Sequence, residues 1–251
     1  MSELMLVCGA ALLAGWVDAV GGGGGLIQIP ALFAIYPATS PAMLLGTNKL
    51  SSFFGTAVAL ARYRSLRFVE PRRWLVAVGA ALAGSAVGAF GATQVPAHLM
   101  RALVLGVVLA VLAYMIINKA LLTTSDRSEK LPNAATQGAL GAGAGFYDGL
   151  LGPGTGSFLI LGLVRLCRMD LVRASAAAKV INLATNMGAL TFFVMAGSVD
   201  YRLGFPMAAC NIVGAWVGAS MAGRFGPRLV RLVLFLVVAV LSCKLMIELF
   251  D

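Results

Sequence analysis

The chain is a succession of long apolar runs with little polar relief. Ala102–Ile117 and Leu229–Val240 carry almost no polar residue, as helices facing lipid require. The runs fall into two similar sets, each an interrupted first segment followed by three continuous ones. The first set predicts a broken segment over 4–36, interrupted at Gly21–Gly25, then helices over 42–61, 74–92 and 99–118. The second predicts a broken segment over 134–167, interrupted at Gly149–Gly156, then helices over 174–196, 204–222 and 229–247. The predicted fold class is an all-α polytopic membrane protein.

The two sets are related residue by residue. Gly15, Asp18, Gly22 and Gly24 match Gly145, Asp148, Gly152 and Gly154, each displaced by 130 positions. Lys49 matches Lys179, Gly84 and Gly88 match Gly214 and Gly218, and Arg101 matches Arg231 at the same displacement. Glycines alone could coincide in so Gly-rich a chain, but both Asp and both Lys together point to a duplication. The repeats are placed at 1–121 and 134–251, joined by a linker over 122–133, the most polar stretch of the chain.

Loop charge bears on topology. Thr136–Leu150 and Gly156–Cys167 would reach about 22 and 18 Å as helices, short of a hydrocarbon core of about 30 Å. Each broken segment is therefore either one interrupted crossing or a re-entrant hairpin. Interrupted crossings make eight spans and divide the loop Lys and Arg ten to seven. Hairpins leave six spans and put fourteen on one side against three, Arg101, Arg202 and Lys244, on the other. Cytoplasmic enrichment of Lys and Arg favours the hairpins. An odd number of crossings per repeat then makes the two halves inverted.

Composition agrees with the membrane assignment. Of 251 residues 60% are apolar and 12% charged, against about 25% charged in a soluble domain, and mean hydropathy is +0.91. The net charge of +9 reads as cytoplasmic loop charge, and nucleic-acid binding is not expected without a soluble basic domain. Met1–Leu6 lacks the cationic start of a secretory signal. The four scattered cysteines have no metal or disulfide spacing and read as buried thiols. Trp74, beside Arg72 and Arg73, is expected to anchor at the membrane interface, and His98 is expected there too. No hydrolytic constellation is present, so neither enzymatic activity, metal nor cofactor is expected.

The candidate chemistry lies at the breaks. Glycine runs cannot continue a helix cheaply, and freed backbone groups inside a membrane must line a cavity or be buried in protein. Matching interruptions in two halves are the usual pointer to a transporter's central site. Helix starts after each break, near Leu26 and Ser157, would offer N–H groups to an anion. Gly23 and Gly24 in the first half, with Gly154, Thr155, Gly156 and Ser157 in the second, are the candidate substrate contacts there. Asp18, Lys49, Asp148 and Lys179 are ionisable groups in apolar surroundings, which normally face a cavity or a partner. Either the four pair with one another, or both Lys converge on an anion while Asp18 and Asp148 hold the breaks or relay protons. Asn48, Ser51 and Ser52, with Asn182 and Asn186, could complete the cavity; Lys179, Asn182 and Asn186 share a helix face. Gly84/Gly88 and Gly214/Gly218 read as close helix packing.

The strings GWVDAVGGGGGLIQIPAL (15–32), LGTNKLSS (45–52), GFYDGLLGPGTGSFLILGLV (145–164) and AKVINLATN (178–186) resemble the TauE/SafE sulfite exporter family, nearly end to end. The resemblance implies a multi-pass permease of a prokaryotic inner membrane with duplicated halves. It implies a small inorganic or organosulfur anion, such as sulfite or sulfoacetate, as the partner alongside the lipid bilayer. A homodimer is an assembly the sequence allows. The expected function is a secondary transporter, an exporter of small sulfur-containing anions working by alternating access around the two breaks. An ion-coupled cation transporter and an anion channel, each using the paired Asp and Lys, are the alternatives.

Overall fold

In the computed structural model, residues 2–117 and 132–221 are described. The predicted last helix (229–247), Cys243, Arg231 and most of the linker lie outside them. Among the described residues all regular structure is helical. The helices are α1 (Ser2–Gly21), α2 (Gly25–Ile35), α3 (Pro41–Ser65), α4 (Leu75–Gln94), α5 (Ala97–Ile117), α6 (Ala134–Leu150), α7 (Thr155–Cys167), α8 (Leu171–Met195) and α9 (Tyr201–Met221). A 3-10 turn, Pro71–Trp74, leads into α4.

Local chemistry explains the starts. Ser40 and Asn133 accept hydrogen bonds from the backbone of Met43 and Thr136. Asp170 takes the N–H groups of Val172 and Arg173, and Asp200 that of Arg202. Each side chain satisfies an N–H that has no partner within its own helix.

By length and composition α1, the 3-10 turn with α4, α8 and α9 are each able to cross a membrane. With 20 residues, α1 is about 30 Å long, enough to span the core without α2. The second half differs, since α6 has 17 residues and reaches only about 25 Å.

The polarity is that of a protein in lipid. Leu6, Leu75, Val87, Phe90, Phe205 and Trp216 face outward, while Gln28, Asn48, Lys49, Lys179, Asn186 and Asn211 are buried. Polar groups inside pair with one another or line a cavity, and outside they would face hydrocarbon.

The most extensive packing is of α4 on α6 and of α1 on α9, followed by α3 on α9 and α4 on α8. Gly84 and Gly88 of α4 lie against the Ala142 and Phe146 carbonyls, and Gly214 and Gly218 of α9 against the Leu12 and Trp16 carbonyls. A methyl at any of these four would collide with backbone, so small residues here let the helices approach. The contacts recur with both partners displaced by 130 positions.

Three side chains depart from the sequence reading. Trp74 is buried instead of anchoring at an interface, and belongs to one apolar cluster with Ala77, Leu159 and Ile181. Cys8 and Cys210 are only half-buried, whereas Cys167 is buried and His98 is exposed.

Candidate functional site

Helix α1 stops at Gly21 and α2 begins at Gly25; α6 stops at Leu150 and α7 begins at Thr155. Gly22 (φ 73°) and Gly152 (φ 90°), 130 positions apart, both adopt the left-handed conformation that glycine favours. The two breaks cross one another. Ser157 N–H donates to the Gly22 carbonyl (3.0 Å) and the Ser157 hydroxyl to the Gly21 carbonyl (2.9 Å). Neither Gly22 nor Gly156 could carry a side chain without striking the other's backbone.

The four intramembrane charges form two pairs across this crossing. Lys49 of α3 reaches Asp148 of α6 (2.7 Å), and Lys179 of α8 reaches Asp18 of α1 (2.6 Å). Each Asp lies in the last turn before its break, where the helix's negative end disfavours a carboxylate and favours a cation. Each Lys supplies that cation. The lysine side chains are 1% and 0% exposed, so neither charge could persist there unpaired. The pairing reading thus describes this conformation; neither lysine stands free for an anion.

A cavity runs between the pairs. Its wall includes Asp18, Lys49 and Asp148, with glycine backbone from both breaks and Asn48, Asn182 and Asn186 from α3 and α8. Its space for the centres of water-sized molecules is about 20 Å³, room for one or two waters. Of the sequence candidates, Gly24, Asn48, Lys49, Ser52, Thr155, Gly156, Asn182 and Asn186 line it, as do both Asp. Lys179 joins through its ion pair with Asp18. Gly23 and Gly154 do not line it, and Ser157 is used in the crossing.

The N–H groups expected to be open near Leu26 and Ser157 are taken by the Gly23 and Gly22 carbonyls, each at 3.0 Å. The open polar groups are instead side chains. Gln28 Nε2 and Asn48 Oδ1 are buried at the cavity wall without a hydrogen-bond partner. Such groups are rare in folded proteins and mark a place that something polar fills.

Sequence reasoning missed Gln28, Thr56 and Asn211 in the wall. Asn211 Nδ2 donates to Gln28 Oε1 (2.9 Å). A lone Asn in α9 gave no signal beyond its polarity; Gln28, within the apolar LIQIP, was the legible one.

The match to known proteins decides the family. The model for "Sulfite exporter TauE/SafE" matches residues 7–245. The chain belongs to the TauE/SafE sulfite exporter family. Several TauE/SafE-like relatives are named only as transporters. "Probable membrane transporter protein ORF9" of Sinorhizobium sp is 33% identical over 95% of this chain and 90% of its own length. "Probable membrane transporter protein YfcA" of Escherichia coli (strain K12) is 34% identical over 95% of this chain and 87% of its own. A "Probable membrane transporter protein" of Haemophilus influenzae is 33% identical over 94% and 91%. No solved structure matches. This TauE/SafE chain is a multi-pass membrane transporter and not an enzyme.

Proposed function

We propose that the protein is a secondary transporter that exports a small sulfur-containing anion, sulfite or an organosulfonate, across the inner membrane. The crossing of the two glycine breaks between two buried Lys–Asp pairs carries this reading. The cavity supplies cationic groups, amides and a water-sized space at one place, which is what a small oxyanion needs.

Transport proceeds by alternating access. An oxyanion of four heavy atoms exceeds a space for one or two waters, so entry requires the halves to move apart. That favours a carrier over a standing channel. The contacts recurring at a displacement of 130, α4 on α6 as α9 on α1, support two repeats related by a two-fold axis. Fourteen loop cations fall on one side against three if each repeat opens on a re-entrant hairpin. The repeats are read as inverted on that ground, with α1, although about as long as the core is thick, entering and returning with α2.

The test is flux of radiolabelled sulfite in proteoliposomes, with unlabelled sulfate, sulfoacetate and taurine as competitors. Saturable flux, blocked by some competitors and lost in Lys179→Gln, is expected. Flux no greater than in empty liposomes, under both a pH gradient and a membrane potential, would remove sulfite as the substrate.

A further inference from the structure

We propose that Asp18 takes the coupling proton of the transport cycle and that Lys179, released by that protonation, receives the anion, while the Lys49–Asp148 pair stays closed. This rests on the anion-carrier reading above and assigns its coupling residue.

The two pairs differ in how their carboxylates are held. Both carboxylates meet a lysine, Asp18 Oδ2 by accepting a hydrogen bond from Lys179 (2.6 Å) and Asp148 Oδ2 by ionic contact with Lys49 (2.7 Å). Asp148 Oδ1 in addition accepts from the Thr155 hydroxyl at 2.8 Å. Its side chain is 4% exposed. Asp18 has the lysine but no such hydroxyl, because the position equivalent to Thr155 is Gly25. Its side chain is 17% exposed while that of Lys179 is fully buried. The cavity therefore reaches the carboxylate of this pair and not its ammonium.

The surroundings of Asp18 leave few other groups to share the proton. Lys179 faces it from α8, and Tyr63 of α3 donates its hydroxyl to the neighbouring Ala19 carbonyl. Lys49 and Asp148 stand across the cavity as a closed pair. From α2, α7 and α9 the cavity wall presents only uncharged groups, Gln28, Thr155 and Asn211 among them.

Coupling follows from burial. A proton placed on Asp18 neutralises the carboxylate and leaves the Lys179 ammonium uncompensated in a dry position, which is unfavourable until an anion arrives. An anion arriving while Asp18 is ionised meets a lysine already paired. Proton and anion thus bind and cross together or not at all, the site keeps the same net charge loaded or empty, and export on this scheme runs down the anion's own outward gradient. The partnerless Gln28 Nε2 then has an oxygen of the anion to donate to.

Two measurements decide the assignment. Calorimetric titration of purified protein with methanesulfonate, whose charge does not titrate, is run in buffers of different ionisation enthalpy. Uptake of about one proton per anion is expected in the wild type, and none in Asp18→Asn; uptake unchanged in Asp18→Asn overturns the proposal. A hydrophobic carbodiimide, which reacts with protonated carboxyls, is applied to the wild-type protein without any anion, and the adducts are mapped by mass spectrometry. Labelling of Asp18 at least tenfold above Asp148 is expected. Labelling of Asp148 to an equal or greater extent, or none on Asp18, overturns the assignment. If the wild type binds no sulfonate, the carrier reading for this class fails, and the carbodiimide map still decides the fate of Asp18.

Discussion

The two helix breaks occupy equivalent places in the chain and share the left-handed glycine, yet they are held in opposite ways. The second break fastens itself. Thr155 bridges back to Asp148 and to the Gly152 carbonyl (2.8 and 3.0 Å), and the Tyr147 hydroxyl donates to the Pro153 carbonyl. The first break is fastened by its neighbours. Tyr63 of α3 holds the Ala19 carbonyl, Ser175 of α8 the Val20 carbonyl, and Ser157 of α7 the carbonyls of Gly21 and Gly22. A self-fastened break can travel as a unit, whereas one held from outside must change partners when those partners move. Duplication supplied two copies of one geometry, and divergence at positions 25 and 155 made them unequal.

The largest expected effect comes from removing a carboxylate charge. Asp148→Asn should cost about 3–5 kcal/mol, the range for breaking a buried pair, because Lys49 at 1% exposure cannot reach water. Asp18→Asn should cost a similar amount, because it leaves Lys179, at 0% exposure, equally unpaired. Thermal unfolding of the two variants in detergent measures both losses. Added sulfonate should stabilise Asp18→Asn and leave Asp148→Asn unimproved; the reverse order would abolish the distinction between the pairs.

The glycines come next. At Gly22→Ala the new methyl meets the Gly156 backbone in a left-handed conformation. Overpacking and the backbone penalty together put the loss at about 2–4 kcal/mol. At Gly152→Ala the nearest atom is the end of the Ile29 side chain, at 3.0 Å. That neighbour can turn aside, leaving mainly the backbone term of about 1–2 kcal/mol. Equal losses by denaturation would mean that the crossing does not bear on Gly22 in particular.

Much of this was legible in the sequence, and the limits have a physical pattern. Helix segments and breaks were visible because lipid demands unrelieved apolar runs and glycine interrupts them: 42–61 became 41–65, and 204–222 became 201–221. Four charges in apolar surroundings announced themselves by their cost. Which Lys meets which Asp was not legible, since Lys179 and Asp18 are 161 positions apart and the same four residues could pair within halves or across them. Nor could the sequence show that the helix-start N–H groups at Leu26 and Ser157 are occupied, because Ser157 is satisfied by a carbonyl of the other half. Trp74 misled because the arginines before it fit an interface anchor equally well.

The smallest effect is the most specific to the comparison. Thr155→Val keeps the shape of the side chain and removes the hydroxyl that joins α7 to Asp148. The loss should be about 1.5 kcal/mol, the low end for a hydrogen bond to a charged group, since Lys49 still meets the carboxylate. Tyr63→Phe removes the tie between α3 and the Ala19 carbonyl (2.7 Å) and should lose about 1 kcal/mol. Amide hydrogen exchange separates the two where total stability does not. With Thr155→Val, faster exchange should stay within 150–157, the break that held itself. With Tyr63→Phe it should appear at 19–24, because that break has lost one of its outside holds. If either substitution loosened both breaks alike, the crossing would act as one rigid knot, and a self-fastened break would have no separate existence to carry through the cycle.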